Sequence, residues 1–197
     1  MILGPDGAGK SAVIAGLVER LSQAGRAVRT RHLKPRIIAE LRRQPENIVV
    51  DPHGMPARGT CLSLVKIFVW LVEEWWARFS REDVGTLLLC DRYYHDLLVD
   101  PKRYRFGAPL WTANLIGKLM PQPKLWILLD APAEVVQVRK REVPLEETRR
   151  QCGAYRSFIR MRRDHAIVDA SRPLHQVLAD AARAIDEVIG KYEDRRE

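Results

Sequence analysis

Residues 4–11 read Gly4-Pro5-Asp6-Gly7-Ala8-Gly9-Lys10-Ser11 and satisfy G-x-x-x-x-G-K-[ST] at every fixed position. No other segment limits the fold as strongly, because the motif requires a strand before it and a helix after it. Both neighbours are present. Met1 to Leu3 reads as the tail of a strand. Ser11 to Ala24 places Val13, Ile14, Leu17, Val18 and Leu21 on one helical face, with Gly25 as the stop. The residue types follow from what a chain of phosphates needs. Glycines let the backbone curl so that successive N–H groups converge on phosphate oxygens, and the helix N-terminus adds partial positive charge. Gly7, Ala8, Gly9, Lys10, Ser11 and Ala12 are therefore expected to cradle ATP. Lys10 would contact the β- and γ-phosphates, and the Ser11 hydroxyl would ligate Mg²⁺. Only three residues precede Gly4, fewer than a central strand usually has, so Met1 reads as an internal or truncated start.

Downstream, short apolar runs alternate with helical stretches, which predicts an α/β domain built on a parallel sheet. Strands are expected at Ala27 to Leu33, Thr86 to Cys90, Leu125 to Leu129 and Ala166 to Asp169. The Leu-rich run before Asp91 reads as buried on both faces. Helices are expected at Leu62 to Phe79, Pro109 to Met120, Pro132 to Arg141, Glu146 to Arg163 and from Leu174 onward. Pro45 to Gly59, rich in prolines and turn residues, reads as a surface loop. Leu62 to Phe79 is apolar nearly all round, so burial or a subunit interface is expected for it.

Ligands of open α/β sheets sit beyond the carboxyl ends of the strands, which directs attention to Asp91 and Arg92. A carboxylate there can hold Mg²⁺, and an arginine can grip phosphate in bidentate fashion. The bland alternative is an ion pair capping the strand. Asp130, at the next strand end, reads as a second acidic contact or, more simply, as a helix N-cap. Nine arginines and lysines lie between Arg139 and Arg163, either as a solvated helix face or as a basic lid. A lid at about 139–151, built from Arg139, Arg141, Arg149 and Arg150 and broken at Pro144, would supply an arginine to the transferred phosphoryl group.

The net charge of +8 favours anionic ligands without choosing among them. Three scattered cysteines give neither a disulfide frame nor a zinc spacing, and the most apolar run is short and contains Lys66, so a cytoplasmic protein is expected. No metal-ligand spacing links His32, His53 and His95.

Asp6-Gly7-x-Gly9-Lys10-Ser11, Asp91-Arg92-Tyr93, Leu128-Leu129-Asp130-Ala131-Pro132-x-Glu134-Val135, Arg139 with Arg141, and Val168-Asp169-Ala170-Ser171-Arg172-Pro173-Leu174 occur in an order that resembles the thymidylate kinase group of nucleoside monophosphate kinases. The resemblance spans nearly the whole chain. It implies a single kinase domain over 1–197, with the three-layer P-loop NTPase fold and a five-stranded parallel sheet. Asp6 would face the acceptor and Arg92 its phosphate. Arg139 and Arg141 would close on ATP, and the segment after Asp169, including Ser171, would border the adenine. A homodimer through the Leu62 to Phe79 helix is implied as well.

Two segments depart from that family's pattern. Arg31-His32-Leu33-Lys34-Pro35 stands where the family has Arg-Glu-Pro-Gly-Gly, and His95 to Gly107 replaces the run that reads the thymine ring. In the latter, Asp96 and Asp100 are candidates for sugar hydroxyls, and Lys102, Arg103 and Arg105 for phosphate. The plainer alternative for this segment is a surface loop held by its own Asp–Arg pairs. The expected activity is ATP- and Mg-dependent phosphoryl transfer to a small, phosphorylated acceptor such as a nucleoside monophosphate. Alternatives are a kinase of a sugar, glycan or lipid-linked acceptor and an ATP-binding module without transfer. A nucleic-acid-binding ATPase ranks last, since no aromatic residues interleave with the basic stretch as a stacking platform would need.

Overall fold

The short runs expected as strands do become strands. The computed structural model describes residues 1–32, 56–79 and 85–193. In it β1 (Ile2–Leu3), β2 (Val28–His32), β3 (Leu87–Asp91), β4 (Trp126–Asp130) and β5 (His165–Asp169) form one parallel sheet in the order β2-β3-β1-β4-β5. Seven helices accompany it among the described residues: α1 (Lys10–Gln23), α2 (Thr60–Phe79), α3 (Asp96–Val99), α4 (Leu110–Leu119), α5 (Ala133–Arg139), α6 (Leu145–Arg160) and α7 (Leu174–Glu193). The surface loop expected over Pro45 to Gly59 lies mostly outside the described residues.

The chain forms two compact units. The first comprises Met1–Arg31, Gly85–Arg92 and Pro123–Glu197, and the second His32–Val84 and Tyr93–Gln122. In the first unit, period-two alternation along the strands decides which helix each side chain meets. Ile2, Leu89, Ile127, Leu129 and Val168 pack with Val13, Leu17 and Leu21 of α1 and with Val177, Ala181 and Ile185 of α7. Gly16 lets α1 approach α7 closely, since a Cβ there would lie 2.7 Å from Leu178 Cδ1. Trp126, from the alternate register of β4, meets Phe158 of α6 edge-on at 5.6 Å between ring centroids. α1 stops as its sequence dictates. Gly25 takes φ +74°, and the N–H groups of Gly25 and Arg26 donate to Ser22 and Leu21, closing the last turn.

β3 departs from expectation. Only Leu89 is fully buried in it, and the other four residues are half-buried. β1 is two residues long and pairs with β3 through Ile2 and Asp91.

The second unit is built around Trp70 of α2. Its ring is met edge-on by Tyr94 and Tyr104, with centroids 5.8 and 5.6 Å away. Tyr94 Oη donates to Ala113 O at 2.9 Å, while burial pushes its phenol well above the usual tyrosine range. Lys66 donates to Tyr104 O and lies over the Trp70 ring, so the charge inside the apolar helix is satisfied locally. α2 buries one stripe (Ser63, Ile67, Trp70 and Glu74) and leaves Phe68, Trp76 and Phe79 exposed. No helix of the described residues is long and apolar enough to cross a membrane.

Candidate functional site: a glycine-rich loop and the cations at its mouth

The glycine-rich segment turns between β1 and α1 in a conformation that only its glycines make easy. Gly4, Gly7 and Gly9 have φ of +148°, +94° and +88°. Within the loop Ala8 N donates to Pro5 O at 3.1 Å. Among the described residues, the N–H groups of Gly7, Gly9, Ser11 and Ala12 donate to no protein acceptor. Four such donors at the start of a helix, beside its partial positive charge, are groups that an anion can satisfy.

The loop is held tightly from behind. A Cβ on Gly4 would lie 2.9 Å from Leu129 O, and one on Gly7 would lie 2.7 Å from Val136 O and 3.2 Å from Lys140 Cβ. The end of β4 and the last turn of α5 thus form the wall against which the loop is curled. Sequence reasoning assigned the loop's contacts to phosphates and missed this wall. The signal was the spacing of two glycines that need both positive φ and the absence of a side chain.

Lys10, Asp6 and Arg92 come together at the mouth. Lys10 is 7 % exposed, and its Nζ donates to Gly4 O at 2.7 Å and Pro5 O at 2.9 Å. It also stands 3.6 Å from Asp6 Oδ1, to which the Arg92 guanidinium donates as well. Arg92 adopts φ +65°, an unusual conformation for a residue with a side chain, at the turn where β3 ends. Asp91 is the last residue of β3, level with Ile2 of β1. Arg92 forms an ion pair with Asp6, which crosses from one strand end to the next.

The basic stretch is largely paired. Arg149 bonds Glu134 and Glu146, holding the Glu134 carboxyl below the usual range, and Arg150 bonds Glu147. Arg139 Nη1 donates to Ala170 O at 2.7 Å, which fixes the turn after β5. Arg141 is exposed in the turn between α5 and α6. That turn is pinned by Gln137, whose Nε2 donates to Val143 O and Thr148 Oγ1, and Pro144 stands just before α6. Asp130 is not the N-cap of α5. Pro132 occupies that position, and the Asp130 carboxylate accepts Arg156 Nε at 2.9 Å through both oxygens. The charged partner from α6, invisible in the local sequence, outcompetes the capping role. Ser171 folds back on Asp169, its N and Oγ donating to Oδ1 at 2.9 and 2.5 Å, and these bonds lower the Asp169 carboxyl below its usual range.

The segment singled out for the acceptor lies in the second unit. Asp96 and Asp100 are buried there, and Asp100 Oδ1 accepts the Arg103 backbone N–H at 3.2 Å. Arg105, at φ +51°, donates from Nε to Pro56 O, and Lys102 is exposed. His95 is buried, with Nε2 3.1 Å from Gly117 O and its ring stacked on Tyr93. Sequence reasoning saw the charges in this segment but not that the short helix α3 would draw both carboxylates inward.

Neither the protein-family models nor the curated proteins contain a match to this chain.

Proposed function

We propose that the chain is a P-loop phosphotransferase of thymidylate kinase-like type, which binds Mg-ATP at the glycine-rich loop and transfers the γ-phosphoryl group to a small, phosphorylated acceptor. The observation that carries this reading is the presence of unspent backbone donors and of Lys10 together at the start of α1. Phosphoryl transfer asks a protein for positioning and for positive charge around the moving group, with no covalent intermediate required. Lys10 would exchange the carbonyls of Gly4 and Pro5 for β- and γ-phosphate oxygens. Arg92, at a strand end, would grip the acceptor's phosphate and align its attacking oxygen. Arg139 and Arg141 would border ATP, Arg141 having the freedom to close over it.

The donor set fits Mg²⁺ carried in on phosphates. Among the described residues no cluster of three or more histidine, cysteine or carboxylate side chains could hold a resident metal. Mg²⁺ in such sites takes one or two protein oxygens and keeps the rest for phosphate and water, which Ser11 and Asp91 can provide. Its contribution when bound is to neutralise charge developing on the phosphate oxygens.

Acceptor-dependent ADP release with Mg-ATP, measured against nucleoside monophosphates, sugar phosphates and unphosphorylated sugars, tests the reading. Strong stimulation by one phosphorylated acceptor is the expected result. ATP binding with no stimulation by any acceptor class would replace transfer with the ATP-binding module.

The exposed face of α2 and α4 fits a second copy of the chain. Phe68, Trp76, Phe79 and Trp111 are 60–79 % exposed. At roughly 200 Å² per aromatic side chain they offer about 560 Å², toward the roughly 800 Å² per partner of a standard interface. Val65 and Leu115, on the same two helices, are over half exposed as well. Trp75 Nε1 donates to Leu119 O and joins the two helices into one surface.

A further inference from the structure

Asp6 stands where an anion belongs. Two cations that a phosphate would engage, Lys10 and Arg92, both face its carboxylate, and the three side chains are only 7–13 % exposed. Two cations sheltered to this degree beside one another repel and lose hydration unless an anion sits between them. Asp6 is four residues before Lys10 on the curled loop, so its carboxylate reaches the same side of α1 as the ammonium. Arg92 reaches it from the end of β3 through a left-handed backbone conformation that a side-chain-bearing residue adopts only when its surroundings hold it there.

We propose that Asp6 is an internal counter-anion, occupying the cations of the site in the absence of phosphate and setting how strongly a free anion competes for them. The proposal rests on the phosphate-loop reading. It assigns Asp6 a positioning role separate from any contact with an acceptor. The carboxylate thus offsets part of the positive charge that Lys10 and Arg92 bring to the same point. A simple anion must displace Asp6 to use both. A ligand with two separate anionic groups can take Lys10 and Arg92 individually and leave Asp6 between them. The carboxylate thereby selects a donor–acceptor pair over a lone polyphosphate.

Inorganic pyrophosphate is the probe, titrated calorimetrically into the full chain and into Asp6→Asn, Asp6→Glu and Lys10→Ala. Circular dichroism and thermal melting of each variant confirm folding. Asp6→Asn is expected to bind pyrophosphate about tenfold more tightly than the parent, corresponding to about 1.4 kcal/mol. Asp6→Glu, which restores the charge, should return the affinity to near that of the parent. Unchanged or weaker binding by folded Asp6→Asn overturns the counter-anion, and the phosphate loop still stands if Lys10→Ala abolishes binding. Pyrophosphate affinity unaffected by Lys10→Ala overturns both.

Discussion

Gly7 and Gly9 share a backbone sign but not a surrounding. At Gly9 nothing lies within 4 Å of an added Cβ, so Gly9→Ala meets only the left-handed strain. That costs about 1–2 kcal/mol. At Gly7 the same strain is joined by a Cβ 2.7 Å from Val136 O, a backbone atom that cannot swing away. Gly7→Ala should therefore lower the melting temperature more than Gly9→Ala, and equal shifts would deny that α5 walls the loop. Lys10 carries the other residue-scale expectation. It is held by two carbonyls and a carboxylate, contacts that serve the loop but not the core packing. Lys10→Ala should abolish acceptor-dependent ADP release while leaving the fold cooperative, and full turnover in that variant would remove the loop from the mechanism.

At the scale of elements, the turn from β5 to α7 is closed by Asp169 and Ser171. The folded Asp169 carboxyl is depressed, so its contribution to stability is present above the ordinary aspartate range and is lost as pH falls through the depressed folded value. Asp169→Asn should therefore melt below the parent at neutral pH, and the two curves should converge on strong acidification. A gap independent of pH would assign the effect to shape instead of charge. Elements of this kind were legible in the sequence to different depths. Strand and helix positions along the chain follow from period-two and period-3.6 patterning, and β4 and α1 appear within a residue or so of their expected bounds. Asp130 was misread because a helix N-cap is a local signal, whereas its partner Arg156 is 26 residues away. The burial of Asp96 and Asp100 was equally invisible in the local sequence. Charge in a sequence reads as exposed until a short helix such as α3 turns it inward.

For the whole molecule, the first unit holds the sheet, the glycine-rich loop and the paired arginines, and the second holds the Trp70 cluster and the apolar face of α2 and α4. If that face joins two copies, sedimentation of the parent should give a dimer and Phe68→Glu with Trp76→Glu a folded monomer. A monomeric parent would leave the face to another occupant. The sequence carried the loop's donors in its glycine spacing. It did not carry the joint grip of Lys10 and Arg92 on Asp6, because Arg92 is 86 residues from Asp6 and its backbone conformation has no sequence signature. The central claim is that this loop is a triphosphate site, and titration of Mg-ATP into the parent and into Lys10→Ala tests it most directly. A saturable heat in the parent that weakens at least about 100-fold, or about 2.7 kcal/mol, in Lys10→Ala is the predicted result. No heat in the parent, or equal affinity in both proteins, would contradict it.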